Sequence, residues 1–270
     1  MTSSEPVLDL PPYRAVLVVD TKDFGGNDDV VQTALAETIY EVLIRAFERA
    51  GLAHVRAAPL FPHNTGDGFG MGFDPRHLPA VVSRFFDALQ EELAEQDARM
   101  RGFRRSASLR MRVALTVGPV ADPDEEGRRG AIGATLISAH RLLDAAPVRA
   151  ALTGSDPEQT FVSAVLSQRV FEDVLAGGYA TLRPSRVAPV EVEVKELTTT
   201  AYLYVPKPSG DLLRDGFGSG DRPVSAPAPA KPEPKAVPQK AVVRNRFDGA
   251  NAKTVFQVGF MDGDVHQGRD

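Results

Sequence analysis

The 270-residue sequence contains neither cysteine nor tryptophan. Without thiols it can have no disulfide framework, no thiolate nucleophile and no Cys-ligated metal, which leaves histidine and carboxylate as the side chains for such chemistry. A basic excess is also missing: 31 Lys and Arg face 36 Asp and Glu, a formal net charge of -5. That balance excludes a general nucleic-acid or anionic-membrane surface, so neither partner is expected. No run of about 18 apolar residues occurs. The start, "MTSSEPVLDLPP", is polar and ends in prolines, unlike a secretory leader, and a cytoplasmic location is expected. No repeat of solenoid period is visible. What is present is an apolar fraction of 43%, enough to bury a core.

Residues 1–12 are expected to be a disordered lead. The β-branched run "AVLVVDTKDF" (15–24) reads as a buried strand that delivers Asp20 at its C-terminal end. Between 28 and 51, Val31, Leu35, Ile39, Leu43 and Phe47 recur every fourth residue, with acids in the first turn and Gly51 past the end, as in an amphipathic helix. Segments 54–62 and 69–73 are predicted as the arms of a hairpin, the first bulged or at an edge because of Pro59 and Pro62. The turn between them, "HNTGDGF", carries Asp67 between two glycines. A second helix is predicted at 76–99, a strand at 108–120, an exposed loop at 122–130 and a third helix over 131–148 that a proline stops. A short helix at 163–176 and the strands "VEVEVKEL" and "AYLYVP" close the folded part.

The order β-α-β-β-α-β, with an extra C-terminal helix and hairpin, predicts an α+β fold with a ferredoxin-like core over 13–206, its helices on one face of an antiparallel sheet. From 207 to 241 Pro, Gly, Ala and charge dominate, as in a disordered linker. The last stretch, 242–270, regains β-prone pieces too short to fold alone and is expected to dock on a protein partner.

Asp is common in turns for local reasons, but two carboxylates from separate strand ends form a set suited to Mg2+, which combines one or two carboxylates with substrate phosphates. Five segments in register resemble the class III nucleotidyl cyclase catalytic domain: "VVDTKDF", "GDGF", "LRMRVALTVGPV", "GATLISAHRL" and "VKELTTTAYLYV". The resemblance implies Asp20 and Asp67 as ligands of two Mg2+ or Mn2+ ions, and a triphosphate facing the chain at Phe24 and Gly25. It also implies Arg141 as the transition-state arginine and Lys195 as a triphosphate contact. His63 and Gly130 occupy its base-reading positions. Its members pair head to tail, so a homodimer, or a heterodimer with a cyclase-like partner, is implied.

The sequence departs from that pattern at Ile137, where the family carries an Asn one turn before the arginine. An aliphatic side chain cannot hydrogen-bond a ribose, and lost positioning of that kind costs on the order of a hundredfold in rate. Two functions are therefore carried forward. One is a divergent nucleotidyl cyclase that makes a cyclic nucleotide and pyrophosphate from a nucleoside triphosphate. The other is a cyclase-like nucleotide sensor or dimerisation scaffold without turnover, in a bacterial signalling or defence system. The end of the chain, "NRFDGANAKTVFQVGFMDGDVH", resembles short C-terminal segments of actinobacterial regulatory proteins, which implies docking.

Overall fold

Strand β1 (Tyr13–Thr21) is the centre of the molecule, flanked by β3 (Gly68–Phe73) and β4 (Met111–Pro119), both antiparallel to it. Because successive side chains leave a strand on opposite faces, β1 sorts its residues into two cores. Ala15, Leu17 and Val19 enter one, Val16 and Val18 the other. The structure is a computed structural model that describes residues 9–26, 29–103, 109–124, 126, 128–214 and 216–217. The expected tail at 242–270 and most of the expected linker lie outside the described residues.

Helix α1 (Asp29–Arg49) follows β1 and packs its Leu35, Ile39, Leu43 and Phe47 on the first face. Gly51, at φ 70°, takes the left-handed conformation that ends the helix, and Leu52 N–H donates to Phe47 O at 2.7 Å. A short α2 (Ala53–Ala57) precedes β2 (Leu60–Asn64), so the first hairpin arm starts later than predicted: Pro59 stops a helical turn rather than lying within a strand. The expected bulge is present, as a register shift between Leu60 and His63. Helices α3 (Leu78–Ala80) and α4 (Phe86–Phe103), joined through a π-helical turn at Val81–Phe85, cover the rest of this face. The Phe47 and Phe85 rings meet at 4.4 Å, both fully buried.

The predicted third helix is two. Helix α5 (Ala134–Leu143) ends at Asp144, and Pro147, expected to stop a helix, sits in the first turn of α6 (Ala146–Thr153), where its missing N–H costs nothing. Both pack on the second face, through Ala139, Leu142, Leu143 and Val148. Helices therefore cover both faces of the sheet rather than one.

A further correction concerns 163–176. Its first part is strand β5 (Val162–Ser167), parallel to β4, and only then come α7 (Gln168–Val170) and a π-helical turn at Phe171–Ala176. Ser167 caps that helix by accepting from Val170 N–H. Gln90 of α4 holds the start of β5: its Oε1 accepts from Phe161 and Val162 N–H at 2.8 and 3.1 Å, and its Nε2 donates to Gln159 O. Strands β6 (Ala188–Val194) and β7 (Leu197–Tyr204) complete the order β2-β3-β1-β4-β5-β7-β6. Its first four strands, with α1 and α4, form the predicted ferredoxin-like βαββαβ core. Among the described residues no helix is long and apolar enough to cross a membrane.

Residues 207–214, which composition assigns to the linker, are tied to the α6–β5 loop. Thr160 Oγ1 donates to Lys207 O at 2.6 Å, Asp156 N–H donates to Ser209 Oγ at 3.0 Å, and Asp211 N–H, in α8 (Asp211–Arg214), donates to Gly154 O at 2.8 Å. Each such bond is worth about 1 kcal/mol net. A chain ended after 217 should keep the parent's melting temperature, whereas one ended after 206 should melt about 5 °C lower or more. Differential scanning calorimetry of the two truncations checks this, and equal melting temperatures would contradict it.

Candidate functional site

Asp20 lies one residue before the end of β1, opposite Gly68 on one side and Arg112 on the other. It shares the parity of Val16 and Val18 and so faces the α5 side. Main-chain bonds carry the ladder past the strand: Thr21 N–H donates to Asp67 O at 2.9 Å and Lys22 N–H to Arg110 O at 2.8 Å. They fix the Asp67 turn beside the end of β1. In that turn Asn64 Oδ1 accepts from Gly66 N–H, and Thr65 Oγ1 donates to Asp67 Oδ1 at 2.8 Å, leaving Oδ2 free of that contact.

Arg112 grips Asp20 with both arms of its fork, Nε to Oδ1 at 2.8 Å and Nη2 to Oδ2, while its Nη1 reaches Leu143 O at 3.5 Å. Burial pushes the Asp20 carboxyl above its ordinary value. Arg112 pulls it down, and the charges of Asp67 and Asp144 push it further up. Neighbouring carboxylates repel unless cations intervene, and one cation, Arg112, is already there. Among the described residues no group of three or more His, Asp or Glu side chains forms a metal cage. Asp20 and Asp67 are fewer carboxylates than a divalent-ion site made by protein alone takes, and Asp20 is already held by Arg112.

The chain then turns through a 3-10 helix, Phe24–Gly26, between β1 and α1, with Gly26 N–H donating to Asp23 O. Phe24 packs its ring on the first core, and Gly25 is exposed with open space around it.

His63 lies flat over Gly70: a Cβ there would come within 2.0 Å of its ring, just as a Cβ on Gly72 would meet Phe61. The bulge residue Phe61 itself takes φ 38°. His63 faces His140 of α5, the ring centres 5.7 Å apart. Burial, then His63, lower the His140 pKa, with Asp144 opposing. Gly130, the other expected base-reading position, lies in an exposed loop with nothing around it.

Arg141 points elsewhere. Its guanidinium pairs with Glu196 in the two-residue turn between β6 and β7, and β4, β5 and β7 lie between that edge strand and β1. Lys195, the other turn residue, is exposed and held at φ 54°. Ile137 is 53% exposed on α5, one turn before Arg141. The chain thus brings Asp20, Asp67 and Arg112 together and keeps Arg141 and Lys195 apart from them. Arg112 and His140 escaped the sequence reading. The signal for Arg112 was a charge in an apolar strand at a position facing inward.

No protein-family model and no curated protein matches this sequence. Solved structures do. A bacterial light-regulated adenylyl cyclase superimposes with a TM-score of 0.53 at 12% identity, over 80% of this chain and 60% of that one. The fold is cyclase-like. The guanylyl cyclase Cya2 matches with a TM-score of 0.47 at 15% identity, covering 74% of this chain and 93% of that one. The non-canonical dimeric guanylyl cyclase domain of the RhoGC fusion protein from the aquatic fungus Blastocladiella emersonii matches with a TM-score of 0.45 at 13% identity, over 74% and 99% of the two chains.

A carboxyl whose folded pKa lies above its unfolded value costs stability when it ionises, so the Asp20 contribution is lost as pH rises from the ordinary carboxylate value through the folded one. Arg112→Gln removes the pull that holds this window down. Relative to the parent, the variant should lose stability progressively as pH rises above the ordinary carboxylate value of about 4. Urea unfolding across that range checks it, and a pH-independent difference would contradict the ion pair's role.

Proposed function

We propose that this domain binds a nucleoside triphosphate with two Mg2+ or Mn2+ ions and converts it to a cyclic nucleotide and pyrophosphate. The observation that carries this reading is the convergence of Asp20, Asp67 and Arg112 at the mouth of β1 on a cyclase-like fold. Asp20 and Asp67 would hold the ions, which supply charge neutralisation on the phosphates when bound. Holding them would require Asp20 to release Arg112, whose fork could then take a phosphate oxygen nearby. In the reaction the ribose 3'-oxygen attacks the α-phosphorus, the bond to the bridging oxygen breaks, pyrophosphate leaves and the hydroxyl proton passes to water. The backbone at Phe24 and Gly25, and Lys195, would contact the triphosphate. His63, with His140 beside it, would border the base.

The separation of Arg141 from Asp20 favours a site completed by a second chain, a homodimer or a cyclase-like partner, with Arg141 of one chain stabilising phosphoryl charge in the other. Two observations favour the alternative, a nucleotide sensor or dimerisation scaffold without turnover. Ile137 offers no hydrogen bond to a ribose, and Glu196 already neutralises Arg141.

Incubation with each of the four nucleoside triphosphates and Mg2+ or Mn2+, followed by mass spectrometry for cyclic product and pyrophosphate, tests the reaction. Asp20→Asn and Asp67→Asn should each weaken divalent-dependent triphosphate binding by at least about tenfold, because an anionic ligand is lost. Unchanged affinity in both variants by calorimetry would reject the site. Arg141→Ala should lower turnover far more than affinity, and Ile137→Asn should raise it. Triphosphate binding without product in both the parent and Ile137→Asn selects the scaffold.

A further inference from the structure

On the first face of the sheet, away from Asp20, a cleft of about 410 Å³ opens between α4 and the segment that leads into β6. Its polar wall is formed by Arg183, Arg186, Ser185 and Thr181, and its floor by Tyr204 and Asp87. The two arginines lie on one side for a local reason. Pro184–Arg186 is a 3-10 turn closed by Arg186 N–H donating to Arg183 O at 2.9 Å, and in such a turn side chains three apart eclipse one another.

Neither guanidinium pairs with a carboxylate among the described residues. Arg186 lies over the Tyr204 ring at 5.8 Å and touches only Pro206 O, at 3.4 Å, while Arg183 makes no hydrogen bond or ion pair there. By contrast Arg14, Arg49, Arg112 and Arg141 each hold an acid. The acid in the cleft is occupied: Tyr204 donates its hydroxyl to Asp87 Oδ1 at 2.7 Å, and burial, with Asp87, keeps that phenol protonated well above the ordinary tyrosine range. The cleft is thus a concave surface lined by two guanidiniums that form no ion pair among the described residues, with hydroxyl donors on Thr181 and Ser185, the Tyr204 ring, and one carboxylate, Asp87, that accepts from Tyr204. A guanidinium fork binds phosphate or carboxylate oxygens bidentately, and two forks together can engage the three oxygens and double charge of a phosphate monoester.

We propose that this cleft binds a small phosphate monoester, its phosphate gripped by Arg183 and Arg186 and its remainder lying against Tyr204 and Leu182. The site is separate from the acids at β1 and does not depend on their function.

Backbone amide spectra of the full chain, titrated with inorganic phosphate at constant ionic strength, test it. Saturable shifts are expected at Thr181, whose N–H donates to Ser83 Oγ at 2.9 Å, and at Arg183, Ser185 and Arg186. Arg183→Gln and Arg186→Gln should each weaken that saturation at least fivefold, and Arg149→Gln, on α6 at the opposite face, should leave it unchanged. Arg183 supports nothing else in the fold, so its variant reports on binding and not on folding. Shifts that never saturate, an equal midpoint in the Arg183→Gln protein, or equal binding of acetate would overturn the proposal. Shifts confined to residues 20–26 would also overturn it, since they would place phosphate only at the β1 site.

Discussion

The packing of β1 between two antiparallel neighbours is the constraint from which the remaining structure follows. Ala15 to Val19 of that strand are each committed to one of two cores, so its charged residues, Arg14 and Asp20, stand near its two ends. The neighbouring strand meets the same constraint with a different solution. Strand β3 alternates Gly68, Gly70 and Gly72 with Phe69, Met71 and Phe73, giving large side chains to the first core and none to the second. The space so released is filled by Phe61 and His63 from β2, which brings an imidazole to the side of the sheet where α5 and Asp20 lie.

Electrostatics then shapes the same region. Asp20, Asp67 and Asp144 crowd negative charge at one sheet end, and Arg112 is the internal counter-charge. Such a pair, 15–20% exposed, sits between the surface case, where an ion pair is worth little, and the buried case, where breaking it leaves an uncompensated charge. An arrangement of this kind is ready to exchange partners. A second buried arginine shows the contrast: Arg110 donates to Thr160 O, Leu152 O and Ser155 Oγ, and is committed to holding the α6–β5 loop.

Much of the first core was legible in the sequence because its elements are amphipathic. Leu35 through Phe47 announce α1 by their spacing, and Asp20 and Asp67 stand at the ends of clear strand and turn signals. Strand β5 was not legible, since Val162 to Leu166, Ser163 included, are all buried, and a run buried on both sides has no polar alternation to distinguish strand from helix. Pro147 was read as a stop when it is a start, because proline suits both ends of a helix boundary. Residues 207–211 look like linker by composition, yet they are held through backbone groups and one serine hydroxyl, which composition does not register. The partner of Arg112 could not be read at all, for cross-strand register is not written locally.

Gln90 gives the crossover half of the fold its mechanical character. One buried amide near the start of α4 occupies the N–H groups of Phe161 and Val162, at the entry to β5 some seventy residues away in the chain. Those amides are protected from hydrogen exchange by a side chain on a different element, not by a neighbouring strand. Helix α4 therefore cannot loosen without exposing the start of β5. This side-chain link ties local opening of α4 to opening of the entry to β5.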